Sequence, residues 1–178
     1  MRTLLYANYT GVLSYKLDLT IKKSLLILFQ NKIMEKEIIV GGHVLIMRAH
    51  GRYNVKVCKK MCGMIFKIEK RLKKIMKRYR LPSQIFIQFK SGDETLDGFY
   101  HVEPKKVAKN ITAIDIFTKQ LRELEKAEGE KSFEINLVDT LIHELVHNKV
   151  KEEKKTRRIV KAYMKKNKDK ILSELSGR

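Results

Sequence analysis

The stretch His143-Glu144-Leu145-Val146-His147 decides how this chain is read. On an α-helix, residues four apart share a face, so the two imidazoles can grip one metal ion together. Glu144 projects about 100° round the axis from His143, where a general base can reach a water held beside them. Val138, Leu141, Ile142, Leu145 and Val146 fill the opposite arc, so chemistry and packing fall on different sides of one amphipathic helix. Asn136 is read as its N-cap, with Asp139 three residues later in a capping-box-like arrangement. Asp139 also lies four residues before His143, placed to accept a hydrogen bond from that imidazole. An ordinary buried helix carrying two histidines is the plainer alternative. With only five histidines in the chain, chance would produce the pattern in roughly one such sequence in a hundred.

A chain of 178 residues can hold one well-packed domain with a small appendage. Its 39 Lys and Arg against 20 Asp and Glu give a formal net charge of +19, a field that favours anionic partners. Cys58 and Cys62 stand four apart, which suggests neither a disulfide framework nor a zinc ribbon. His43 and His50 lie near enough in sequence to complete a second metal site with them, but reduced and partly buried thiols are the simpler reading. No signal peptide is legible, and Ser24-Leu25-Leu26-Ile27-Leu28-Phe29 is far too short to span a bilayer. A cytoplasmic protein with no membrane span is expected.

Residues 1–63 read as an N-terminal accessory region, a helix followed by a β-meander. Ile21 to Met34 suits a short helix. Ile38-Ile39-Val40 and Val44-Leu45-Ile46-Met47 flank Gly41-Gly42, a hairpin signal, and Tyr53 to Val57 suits a third strand. From Met64, Ile65, Ile68, Leu72, Ile75, Met76 and Tyr79 follow helical spacing, stopped by Pro82. Strands are expected at Ile85–Phe89, Gly98–Val102 and Ile111–Phe117, with Thr118 to Gly129 helical or an ordered loop. After the HExxH helix, Ile159, Val160, Tyr163 and Met164 mark one helical face, and Ile171, Leu172 and Leu175 mark a last short helix.

The motif and this order of elements resemble the zincin metallopeptidases over residues 64–178. The compactness is similar to the minimal archaeal peptidases called minigluzincins and, more distantly, to SprT-like proteases. The resemblance implies an α+β fold, a zincin-like half-domain: backing helix, small mixed sheet, active-site helix and C-terminal helices. It also implies a small zinc-dependent endopeptidase, active or latent, whose sheet edge binds a peptide or protein substrate. Zn2+ would be held by His143 and His147, with Glu144 as general base.

A catalytic zinc takes three protein ligands and leaves a fourth position open. No histidine follows His147, so the third ligand must be a carboxylate. Glu174, on a helix of its own, is preferred because nothing between His147 and Glu153 signals a helix break. Glu153 and Glu152 are the alternatives. Tyr163 is the candidate donor to the oxyanion, with Tyr100 and His101 behind it. The Lys/Arg-dense segments Lys67–Arg80 and Lys149–Lys170 suit either solvated helix faces or sequence-independent contact with nucleic acid. The second reading of the chain is therefore a basic, nucleic-acid-associated protein with a latent or inactive zincin domain. Homo-oligomerisation is left open.

Overall fold

The computed structural model describes residues 33–92, 98–101 and 111–177. Within them β1 (Ile33–Val40) and β2 (His43–His50) lead into α1 (Arg52–Lys67) and α2 (Glu69–Tyr79). Strands β3 (Gln84–Lys90), β4 (Gly98–His101) and β5 (Ile111–Phe117) follow. Then come α3 (Thr118–Glu128), α4 (Glu130–His147) and α5 (Glu153–Ser176). The fold is mixed α+β.

The five strands form one sheet in the order β1-β2-β3-β5-β4. Its centre is parallel, β2 to β3 and β3 to β5, while β1 and β4 run antiparallel at the two ends. Alternate residues read out the buried face: Leu45, Met47 and Ala49 of β2, then Ile85, Ile87 and Phe89 of β3, then Ile114 and Ile116 of β5. The register sets Leu45 beside Ile85 and Met47 beside Ile87, so the pleat keeps these side chains in one layer. Helix α1 packs on β1, β2 and β3, and α4 on β4 and β5. Phe133, Leu137, Val138, Leu141 and Leu145 of α4 belong to the same hydrophobic core.

The hairpin over β1 and β2 is as expected. Gly41 and Gly42 both adopt positive φ, the pairing that a two-residue turn matched to strand twist requires. The third strand is not there: Tyr53–Val57 lies inside α1. Its Tyr-Val-Val alternation is outweighed by Val55, Cys58, Met61, Cys62 and Ile65, which recur every three or four residues and are all buried. Of the short helix expected over Ile21–Met34, only Ile33 and Met34 are among the described residues, and both belong to β1.

The proposed division after residue 63 falls within α1, and β2 pairs directly with β3 across it. Residues on both sides share one core, so in the described part the upstream elements are integral to the sheet. The single helix read through Ile65–Tyr79 is two, joined at Ile68 (φ −105°, ψ 18°). It ends as read, with Arg80 left-handed before Leu81 and Pro82. Downstream the opposite holds. Ile159 to Leu175 lies within one continuous helix, the 24-residue α5, and Asn167 sits inside it, donating from Nδ2 to the Tyr163 carbonyl.

Candidate metal centre

Helix α4 starts at Glu130, two turns earlier than the Asn136 cap implied. Gly129 (φ 82°, ψ −178°) makes the turn from α3, and Asn136 bonds back to the Ser132 carbonyl from within the helix. The apolar positions at 133, 137, 138, 141, 142 and 145 extend the buried face almost the helix's whole length. Burial of that face in the shared core therefore decides the start, against the local capping signal.

The end of α4 matters more. The helix stops at His147, and the backbone is extended by Glu152 (φ −80°, ψ 119°) before α5 begins. Side chains and tertiary contacts make this break. Asn148 Nδ2 donates to the carbonyls of Tyr79 (2.9 Å) and Arg80 (3.1 Å), tying the bend to the end of α2. The fully buried Thr156 donates from its hydroxyl to the Val150 carbonyl at 3.1 Å. The chain thereby reverses onto α4 and brings the first turn of α5 against the histidines.

Three ligand atoms converge there. His147 Nε2 lies 3.0 Å from His143 Nε2 and 2.9 Å from Glu153 Oε2, and His143 Nε2 lies 3.4 Å from the same oxygen. Among the described residues this is the sole group of three or more His, Cys, Asp or Glu side chains placed to share a cation. Tetrahedral zinc with ligand bonds of 2.0–2.2 Å needs donors about 3.3–3.6 Å apart, so this triangle has to open by only a few tenths of an ångström. The His147 ring is also pre-set. A carbonyl can only accept, so Nδ1, 3.0 Å from the Val150 oxygen, must carry the proton. In the neutral ring that leaves the Nε2 lone pair facing His143 and Glu153. The donor set and its orientation fit a divalent zinc-like cation.

Electrostatics around the triangle separate the roles of its members. Burial, working against the nearby Glu153 charge, lowers the His143 pKa and favours the unprotonated, ligand-competent ring. Burial pulls Glu153 the other way. The hydrogen bond from Arg157, and the charge that His143 carries when protonated, nonetheless hold its carboxyl below the usual range. Glu144 is different. Its side chain is buried, no described residue donates a hydrogen bond to it, and desolvation, with Glu153 adding repulsion, pushes its pKa up to about 8. A buried carboxyl with a raised pKa, on the helix face next to the three donors, suits proton exchange rather than ligation.

The other candidates fall elsewhere. Glu174 forms a bidentate pair with Arg71, Nε to Oε2 at 2.7 Å and Nη2 to Oε1 at 2.9 Å. It lies 21 residues along α5 from Glu153, about 30 Å at 1.5 Å per residue, so the two cannot serve one ion. The preference for Glu174 is thus corrected in favour of Glu153. Glu152 is exposed at the cap of α5, its carbonyl accepting from the Thr156 amide at 2.9 Å. Tyr163 lies near Arg71, about 15 Å along α5 from Glu153, and does not face the triangle. Asp139 is half-buried one turn before His143, and Tyr100 and His101 lie in β4.

Cys58 and Cys62 are buried against the sheet, with Cys62 Sγ 3.5 Å from Met47 Sδ, while His43 hydrogen-bonds the Pro82 carbonyl. No second cluster forms there. Sequence reasoning passed over Thr156, Arg157 and Asn148. A Thr amid Lys and Arg on an amphipathic helix and an Asn directly after a helical His were the available signals. No protein-family model, curated protein or solved structure matches this chain, so the site is understood from its own residues and geometry.

Proposed function

We propose that this chain is a zinc-dependent peptidase of the HExxH class, a minimal zincin-like protein in which His143, His147 and Glu153 hold the ion. The observation that carries this reading is the approach of two imidazole Nε2 atoms and one carboxylate oxygen to within 2.9–3.4 Å, with Glu144 on the adjoining face of the same helix. Three protein donors and room for one more ligand are the pattern of catalytic zinc. Bound there, zinc would lower the pKa of a coordinated water towards 7 and polarise a substrate carbonyl.

The chain's own residues supply the rest. Glu144, buried on the helix face next to the histidines, accepts the proton of the attacking water and passes it to the departing amine. Val150 and Thr156 keep His147 in one tautomer, and Arg157 holds Glu153 towards the histidines. Strand β4 ends the sheet among the described residues and packs against α4, so its edge is open for an extended peptide to pair beside the helix that carries the histidines. That placement favours a peptide substrate over a small molecule. No described helix is long and apolar enough to cross a membrane.

Metal content and peptide hydrolysis, measured together, test the proposal. Protein purified without chelator is expected to carry one zinc per chain and to hydrolyse an unfolded protein substrate. Glu144→Gln should keep the zinc and lose at least about a hundredfold in rate, the cost of removing a general base. His147→Ala should lose both. Zinc-free wild-type protein that gains no activity on adding zinc would end the peptidase reading.

A further inference from the structure

One flank of α5 carries a row of cations that the metal centre does not use. Lys154, Arg158, Lys161, Lys165 and Lys168 are spaced four, three, four and three residues apart. At 100° per residue they fall within an arc of about 80°, and at 1.5 Å per residue they span about 21 Å. All five are exposed, and none pairs with a carboxylate among the described residues. Asp169 stands at one edge of the arc; the other acids of the helix, Glu153 and Glu174, turn away to the histidines and to Arg71. Five like charges in line repel one another, by a few tenths of a kcal/mol for each neighbouring pair on a helix. A linear polyanion would relieve that repulsion.

From this arrangement we infer that the flank of α5 docks the phosphodiester backbone of nucleic acid, independently of base sequence. A line of lysines about 5–6 Å apart can contact successive phosphates along a strand, with counterion release supplying most of the affinity. An anionic membrane is the less suitable partner. A helix lying on a bilayer inserts an apolar face, and that of α5 (Val160, Met164, Ile171, Leu175) is already buried in the core. Ala162 is the sole exposed apolar residue between Lys154 and Lys168. With no aromatic side chain in the row, nothing stacks on bases, so phosphate contact without base preference is the expected mode. The inference stands whether or not the triangle binds zinc.

The test compares two variants of the full chain that change net charge equally. One replaces Lys161, Lys165 and Lys168 with Glu; the other replaces the exposed Lys70, Lys74 and Lys77 of α2 with Glu. Binding of a short, labelled, mixed-sequence DNA is followed by fluorescence anisotropy between about 50 and 200 mM salt. Wild type should bind with steep salt dependence. The α5 variant should bind at least about tenfold more weakly and with a salt slope shallower by about 3, one unit per lost phosphate contact. The α2 variant should stay within about threefold of wild type, since it alters only the general field. Equal weakening by both variants, or no wild-type binding at the lowest salt, overturns the inference. So does binding to phosphatidylserine vesicles without binding to DNA. If the α5 variant loses its helical circular dichroism, the neutral Lys161→Gln, Lys165→Gln, Lys168→Gln variant replaces it under the same criteria.

Discussion

At residue 144 a carboxylic acid sits where water scarcely reaches it, and this has a consequence for metal-free protein. A group whose folded pKa is about 8 against an ordinary 4.5 holds its proton longer in the native state than in the unfolded chain. Between those two values the native state binds more protons, so this group's contribution to stability falls as pH rises through that window. The loss is on the order of a few kcal/mol. Chelator-treated wild type should therefore melt at progressively lower temperature from pH 5 to 8, while Glu144→Gln should lack that component. Parallel melting curves would mean that Glu144 is hydrated in solution. The third ligand is tested at the same scale. Glu153→Gln should weaken zinc binding by at least about tenfold, whereas Glu174→Gln should leave affinity unchanged. The second substitution breaks only the Arg71 pair, worth on the order of 1 kcal/mol at that exposure, so a small drop in melting temperature is its sole expected effect.

At the scale of elements, the break between α4 and α5 makes the site, because a straight continuation would carry Glu153 away from the histidines. Two side chains hold the bend: Asn148, reaching the end of α2, and Thr156, reaching the Val150 carbonyl. Thr156→Val keeps the shape but removes the hydroxyl, leaving the carbonyl that orients His147 with one donor fewer. The expected result is about 1 kcal/mol lower stability and zinc binding weaker by about tenfold, with secondary structure intact. Calorimetric titration of zinc into chelator-treated protein reads both changes. Unaltered affinity would show that the bend holds His147 without Thr156.

At the scale of the whole molecule, β2 joins the N-terminal hairpin to the parallel centre of the sheet. A chain beginning at Met64 would lack β1, β2 and most of α1, exposing the edge of β3 and the apolar faces of Ile85, Ile87 and Phe89. It should show no cooperative urea transition by circular dichroism and should aggregate at concentrations where the full chain stays dispersed. A sharp transition with a slope appropriate to its length would restore the independent domain that the sequence suggested.

The sequence alone determined the local features: the helix around His143 and His147, the Gly41-Gly42 hairpin and strands β3 and β5. In each case the signal is periodic or turn-specific and needs no partner to be seen. It also placed His143 and His147 on one face with Glu144 next to them, since i, i+1 and i+4 on a helix define their relative directions. What it left undecided was everything set by contact between distant segments. Tyr53–Val57 alternates like a strand but is helical because its neighbours bury every third or fourth residue. Asn136 caps well but lies mid-helix because Phe133 and Ile135 in the turns before it are buried in the core. The approach of Glu153 to the histidines was beyond local reading for the same reason. No Gly or Pro marks the turn after His147, and the bend exists because Asn148 meets the end of α2 and Thr156 meets Val150, contacts only a folded chain can make.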